Sequence, residues 1–201
     1  MEKHNNQEDI LKDRVKKIRH FLDKKKYWIQ YILLLIIVWI GAAIRSKPLS
    51  RLIDPTTGKH ITLELDSTLW LRYAKEIVAN GVLFDVDPMR SVPIGADLSS
   101  LGSFTAYFIA YMYKVFNFFF SSMTIEYVSI IYPITATIIM SIFFFLLVKR
   151  LFDWRVGLLS VLFLNILPTF LFRSLGGSSD HDILGMMLFT MALYFYVVAW
   201  Q

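Results

Sequence analysis

Long apolar segments constrain this chain more than any other feature of its sequence. They are long enough to cross a bilayer whose hydrocarbon core is roughly 30 Å thick. Backbone groups cannot bond to water inside that core, so each such segment is expected to be helical. We therefore predict an all-α membrane protein with about four transmembrane helices. The predicted spans are residues 27–44, 126–148, 156–172 and 183–201.

The composition agrees with this class. Hydrophobic residues make up 56% of the 201 residues, and the formal net charge is +5. The positive charges are concentrated in residues 1–26 and in Lys149, Arg150 and Arg155. Basic residues next to an apolar span are typical of cytoplasmic loops and of contacts with lipid headgroups. We thus expect membrane lipids, and not nucleic acid, as the partner of this charge.

The basic clusters also predict the topology. Both lie on the cytoplasmic side when an even number of crossings separates them, as the first two spans provide. Residues 1–26 then form a basic cytoplasmic arm, and the chain is a multi-pass protein of the cell membrane. The predicted connections are an external loop at 45–125, a cytoplasmic loop at 149–155 and an external loop at 173–182.

The large external loop contains two predicted helices. Residues 67–81 form an amphipathic pattern that ends at an Asn-Gly pair, with Asp66 where the N-cap would be. The apolar run Leu101–Phe120 is predicted to lie on the membrane or to re-enter it. Its Lys114 and several tyrosines suit the interface better than the bilayer centre, and an extra crossing would place one basic cluster outside.

The segment RSLGGSSDHD at 173–182 carries the strongest chemical signal. Asp180 and Asp182 form a D-x-D pair, whose hard oxygen ligands suit Mg²⁺ or Mn²⁺. The same pattern is also an ordinary helix start, with an N-cap and an acidic first turn, and the two interpretations are compatible. His181 is a further potential ligand, although an isolated exposed histidine is weak evidence for one. Arg173 suits either lipid headgroups or a lipid-linked phosphate.

Two stretches together resemble the catalytic subunit of the asparagine-linked oligosaccharyltransferases. ELDSTLWLRYAKEIVANG followed by FDVDPMRSVPIGA is similar to the first external loop of that family. RSLGGSSDHD matches the family signature R-S-x-(A/G)-G-x-x-D-x-(D/E), with the arginine, the glycine and both acids at the expected offsets. The resemblance extends over residues 60–200, which is nearly all of the membrane part.

This resemblance implies a GT-C type multi-span helical bundle. It also implies transfer of a glycan from a lipid phosphate or pyrophosphate carrier to the asparagine of Asn-X-Ser/Thr in an acceptor polypeptide. Asp66, Asp180 and Asp182 would be the catalytic acids and would hold Mn²⁺ or Mg²⁺ on the external face. As a separate hypothesis, we place Arg173 near the carrier phosphate.

The family's acceptor-reading motif, Trp-Trp-Asp-Tyr-Gly, is not in this sequence. We therefore expect the chain to be an N-terminal portion that is inactive without the C-terminal portion of the same enzyme. Other functions stay open at this stage. A different GT-C enzyme using a polyprenyl-phosphate sugar also fits acids in the first external loop. Further alternatives are an ion pathway, which acids at a pore mouth would suit, and a non-catalytic assembly partner.

Overall fold

The computed structural model describes residues 28–98 and 103–200. The predicted cytoplasmic arm, residues 1–26, lies outside these residues. Within them the chain is helical apart from its loops and one antiparallel pair of two-residue strands, β1 (Val86–Asp87) and β2 (Ala96–Asp97). The helices are α1 (Trp28–Arg51), α2 (Leu65–Asn80), α3 (Phe104–Phe119), α4 (Ile125–Leu151), α5 (Trp154–Ile166), α6 (Pro168–Arg173) and α7 (His181–Trp200).

Three of the described helices, α1, α4 and α7, are long and apolar enough to cross a membrane. Helix α4 is the central one, and it packs against α2, α3, α5 and α7. The most apolar 18-residue stretch of α4 is 56% buried inside the protein, whereas the corresponding stretches of α1 and α7 are each 22% buried. The apolar side chains that α1 and α7 turn outward are suited to lipid. The predicted class, an all-α membrane protein, is therefore confirmed.

The predicted span at 156–172 consists of two helices in the structure. Helix α5 ends at Ile166, and Pro168 is the first residue of α6. A proline disfavours helical geometry in the residue before it and is favoured at the first position of a helix, which explains the break at Leu167. The 13 residues of α5 reach only about 20 Å. A crossing by α5 and α6 together stays a prediction.

Helix α2 has the end that its sequence predicts and a different beginning. Gly81 adopts a positive φ of 84°, and its N–H donates to the carbonyl of Ile77 at 2.9 Å. The helix begins at Leu65, however, with Glu64 as its N-cap residue. The predicted N-cap role of Asp66 is therefore wrong. Asp66 lies in the first turn, where the helix dipole favours an acidic side chain.

Helix α3 covers α2 and α4 with one face only. Its Ala106, Ile109 and Ala110 are fully buried in a core that α2, α4 and α7 share. On its other side Val115 and Phe118 are exposed. A helix that packs on protein along one face and presents apolar side chains along the other fits the membrane interface. Its location at that interface stays a prediction.

A buried carboxylate fixes the irregular segment that follows α2 to that helix. Asp87 has no exposed surface and is contacted by both terminal nitrogens of Arg72, with Arg72 Nη1 at 2.9 Å. Tyr73 Oη donates to it at 2.8 Å and the backbone N–H of Met89 at 3.0 Å. The Arg72 guanidinium lowers the pKa of Asp87 to about 2. The loop that follows α2 is therefore held by an ion pair.

Candidate active site

Hydrogen bonds join the two loops that carry the predicted acids. The backbone N–H of Leu63 donates to the carbonyl of Gly177 at 2.9 Å. The N–H of Ser179 donates to the hydroxyl of Ser67 at 2.7 Å, and both serines are fully buried. These bonds hold the first turn of α2, with Asp66 in it, against the loop that leads into α7.

Two further contacts flank Asp66 on the same helix. Two residues before it, Glu64 Oε1 accepts a hydrogen bond from the Ser178 hydroxyl at 2.7 Å. One turn after it, Trp70 Nε1 lies 3.4 Å from Asp180 Oδ1. Asp66 itself is exposed. Asp66 is therefore an exposed residue between two residues that contact the loop of Asp180.

A proline in α4 provides an anchor for the same loop. Pro133 has no N–H, so it cannot bond to the carbonyl of Ser129 four residues earlier. That carbonyl accepts a hydrogen bond from the Ser179 hydroxyl instead. The neighbouring carbonyl of Ile130 accepts from the N–H of Gly177 at 2.8 Å. The hydrogen bond missing from α4 thus leaves a carbonyl free to hold the loop between α6 and α7.

The glycine pair of the signature allows this close packing. Gly177 has a φ of +95°, and a Cβ there would lie 2.4 Å from Leu52 Cδ1. A Cβ on Gly176 would lie 3.0 Å from the carbonyl oxygen of Arg45. Side chains at these positions would push the loop away from the end of α1. The structure therefore explains why this part of the segment carries two glycines.

Asp180 is the buried acid of the site, with 6% of its surface exposed. Its Oδ1 accepts from the backbone N–H of His181 at 2.7 Å and lies 2.6 Å from His181 Nδ1. Its carbonyl accepts from the hydroxyl of Tyr132. Burial acts to raise the pKa of Asp180, but the hydrogen bonds from His181 outweigh it and hold that pKa below its usual value. The carboxylate form is thus favoured.

Three consecutive side chains could hold a metal ion together. Within the described residues, ligand atoms of Asp180, His181 and Asp182 lie within 4.8 Å of one another. Arg173 Nη1 is 3.5 Å from Asp182 Oδ2 and 4.0 Å from Asp180 Oδ2. The structure therefore brings together three predicted residues, Arg173, Asp180 and Asp182, and adds His181. Asp66 is on the adjoining helix, outside this group of converging ligands.

Sequence reasoning missed the aromatic partners of Asp180. Trp70 and Tyr132 come from α2 and α4, 110 and 48 residues away along the chain. Nothing in the local pattern links them to residues 173–182, the acidic loop. The one usable signal was Pro133, because a proline inside an apolar span often marks a carbonyl free to accept another bond.

A groove of ≈ 600 Å³ leads from the acids along the membrane helices. It lies between α5 and α6 on one side and α7 on the other. Leu164, Phe170 and Met186 line its apolar part, and Arg173 and Asp182 lie at its polar end. The groove can accept a long apolar chain with an anionic head next to the arginine.

The family of the chain follows from a sequence comparison. The family described as "Oligosaccharyl transferase STT3, N-terminal" matches residues 30–201. The chain therefore belongs to this family. No match to a curated protein sequence was found.

Solved structures from Archaeoglobus fulgidus have a similar fold. The oligosaccharyltransferase AglB in complex with an inhibitory peptide and a dolichol-phosphate has a TM-score of 0.71 and 22% identity. The same archaeon's oligosaccharyltransferase complexed with Zn and sulfate has a TM-score of 0.65 and 21% identity. The match covers 87% and 81% of this chain, respectively.

A third structure, the A. fulgidus enzyme tethered to an acceptor peptide with the NVT sequon, has a TM-score of 0.67 and 22% identity and covers 87% of this chain. The present chain spans about a fifth of the length of these proteins, 20% to 21%. These matches confirm the predicted GT-C type fold, at an identity that shows the fold alone.

Proposed function

We propose that this chain is the N-terminal membrane portion of an oligosaccharyltransferase. The enzyme transfers a glycan from a dolichol or polyprenyl phosphate or pyrophosphate to the asparagine of Asn-X-Ser/Thr sequons. The observation that carries the proposal is the convergence of Asp180, His181 and Asp182 at the polar end of an apolar groove. Similar A. fulgidus structures hold a dolichol-phosphate and an acceptor peptide with the NVT sequon, which supports this assignment.

The donor set fits a divalent cation. Asp180 and Asp182 offer carboxylate oxygens, the ligands that Mg²⁺ and Mn²⁺ prefer, and His181 offers an imidazole nitrogen. The lowered pKa of Asp180 keeps its carboxylate deprotonated for this role. Asp66 would complete the site from the adjoining helix. When bound, a divalent cation would supply positive charge to neutralise a phosphate leaving group.

The remaining chemistry belongs to the protein's own side chains. A carboxamide nitrogen is a weak nucleophile because its lone pair is delocalised into the carbonyl. An exposed carboxylate such as Asp66 can accept hydrogen bonds from this amide and orient it toward the donor sugar. Arg173, 61% exposed, can form charge-assisted hydrogen bonds to the carrier phosphate. No covalent intermediate with the enzyme is required.

The arrangement also favours an external active site. Lys149 lies 20 residues after Ser129 on α4, which corresponds to about 30 Å along a helix. Because Ser129 contacts the acidic loop, the basic cluster is separated from the acids by about one bilayer core. With the basic residues in the cytoplasm, the N-terminus is cytoplasmic and the acids face outward.

Glycopeptide formation by the full-length enzyme tests this proposal. Purified enzyme is incubated with its native lipid-linked glycan and a labelled sequon peptide, with Mn²⁺ or after chelation. We expect chelation to abolish transfer and Asp180→Asn to lower kcat at least about 100-fold. This loss exceeds the one that follows when a residue that only hydrogen-bonds to a metal ligand is replaced. Asp85→Asn, an exposed acid of the same external region, is the matched control. Full transfer after chelation, or by Asp180→Asn, would refute the metal assignment.

The Asp66→Ala variant distinguishes the role of Asp66 from that of the acids in the loop before α7. Because Asp180, His181 and Asp182 remain in this variant while Asp66 no longer completes the site, we expect Mn²⁺ binding by the protein to be weakened but not lost, measured by electron paramagnetic resonance. Its kcat should nevertheless fall at least about tenfold if the side chain orients the acceptor amide. Unchanged kcat would remove Asp66 from the catalytic group.

A further inference from the structure

Arg45, near the end of α1, is fully buried although it carries a charge. A buried charge requires hydrogen-bond partners to offset its lost hydration. Among the described residues these partners are neutral: Nε donates to Ser174 Oγ at 2.8 Å, and Nη1 to the Gly41 carbonyl at 3.0 Å and to both oxygens of Asn165 at 3.2 Å. The guanidinium thus links α1, α5 and the turn after α6.

The neighbouring residues are shaped for this contact. Asn165 donates its amide N–H groups to Ser141 Oγ at 3.1 Å and to the Val161 carbonyl at 3.0 Å. Its side-chain oxygen is therefore directed toward Arg45. A Cβ on Gly41 would lie 2.2 Å from that oxygen, so glycine is required for the approach. These contacts bind Nε and Nη1 of Arg45, whereas Nη2 is buried without a hydrogen-bond partner among the described residues.

Arg45 holds the acidic loop at two points. Its guanidinium binds the Ser174 hydroxyl, which in turn donates to the Phe170 carbonyl at 2.6 Å. Its own backbone carbonyl accepts from the N–H of Gly176 at 2.9 Å. Ser174 directly follows Arg173, and Gly176 begins the stretch that leads to Asp180.

Stability alone does not account for an arginine at this position. Replacing a buried charge and its partners with apolar side chains of similar volume is often neutral or stabilising. The directional bonds of a guanidinium, however, define where its acceptors lie. We propose that Arg45 is a positioning residue for the active site, acting through Ser174 and Gly176 on the loop that carries Arg173 and Asp180. This role rests on the proposed transferase function.

Kinetics of the full-length enzyme test this role. Arg45→Met removes the guanidinium at similar length, and Ser174→Ala removes its acceptor on the loop. Ser46→Ala is the control, because within the described residues the Ser46 hydroxyl bonds only to the Ala42 carbonyl of α1. We expect Arg45→Met to lower kcat about 10- to 100-fold, as displacement of a site by about 1 Å does, with KM for the peptide within about twofold.

The double variant Arg45→Met/Ser174→Ala should lose less than the sum of the two single losses, because both changes remove the same Arg45–Ser174 bond. Additive losses, or a kcat equal to that of Ser46→Ala, would overturn the proposal.

Hydrogen exchange gives a readout that does not depend on transferase activity. In Arg45→Met, amides of residues 174–182 should exchange faster, whereas those of α3, which has no bond to Arg45, should be unchanged. Unchanged exchange at 174–182 would refute the positioning role even if kcat fell. If the parent enzyme transfers no glycan to a sequon peptide, the proposed function fails, and this exchange measurement still decides whether Arg45 orders the loop.

Discussion

Substitution of Gly177 by alanine tests how tightly the acidic loop is packed. Gly177 is held through both of its backbone groups, since its N–H bonds to Ile130 and its carbonyl accepts from Leu63. The new methyl group would lie 2.4 Å from Leu52 Cδ1 and 3.3 Å from Leu63 Cβ. Leu52 is buried, with 6% of its surface exposed, so its side chain has little room to move.

Two costs contribute to the expected effect. A residue other than glycine in the left-handed region costs roughly 1–2 kcal/mol. Overpacking in a buried site typically costs about 1–3 kcal/mol more. The two together give about 3 kcal/mol, which raises the equilibrium for opening the loop about a hundredfold.

Two other glycines separate these costs. Gly58 also has a positive φ, of 67°, but a Cβ there would contact nothing within 4 Å. Gly58→Ala should therefore raise the equilibrium for opening its own turn only about five- to thirtyfold, from backbone strain alone. Gly185 lies inside α7 with open space around its Cβ position. Gly185→Ala should stabilise α7 by up to about 1 kcal/mol.

Hydrogen exchange of the full-length enzyme, followed by mass spectrometry of peptides, measures these openings. The amides at positions 177 and 63 report directly, because each donates one of the bonds that must break. We expect Gly177→Ala to accelerate exchange there about a hundredfold and to lower kcat. Exchange in Gly177→Ala no faster than the strain-only effect of Gly58→Ala would show that the loop has room for a methyl group, and the packing argument would fail.

Two more substitutions test the contacts that hold the loops around the candidate site. Pro133→Ala restores a backbone N–H that competes with the Ser179 hydroxyl for the Ser129 carbonyl. We therefore expect α4 to be stabilised by up to about 3 kcal/mol, while amide hydrogen exchange in the acidic loop becomes faster. Slower exchange in both α4 and the acidic loop would contradict this. Asp87→Asn should destabilise the loop after α2 by about 2 kcal/mol, measured by chemical unfolding, because Arg72, whose side chain is 31% exposed, loses its charged partner. Since the pKa of Asp87 is lowered from 3.8 to about 2, its contribution is complete above pH 4 and is lost as pH falls toward 2. This pH dependence should persist in full in the control Asp85→Asn and become smaller in Asp87→Asn, where Asp54, whose pKa hydrogen bonds from Thr57 and Thr56 also lower to about 2, still contributes.

Much of the fold could be predicted because hydrophobicity is a local property. Each apolar run is long enough to need a helix in lipid, whatever its neighbours are. The end of α2 was predictable as well, since the αL conformation of Gly81 depends on the residue alone. The start of α2 was not, because Glu64 at the N-cap position bonds by its side chain to Ser178 of another loop. The break at Pro168 was available as a local signal.

The candidate site, like the fold, could be predicted from the sequence only in part. Spacing alone placed Asp180 and Asp182 on one short segment, and the match to a family signature pointed to the metal and to Asp66. Whether these acids converge was beyond the sequence, because burial of Asp180 depends on Trp70 and Tyr132, which distant helices contribute.

The sequence was sufficient for the membrane class, the long apolar helices and the identity of the acids, because these follow from side-chain chemistry over short stretches. Tertiary structure alone decided that a carbonyl freed by Pro133 would hold Ser179 and that a buried Arg45 would hold Ser174. Such contacts form only when separate helices meet, since a buried polar group must find its partner wherever packing places one.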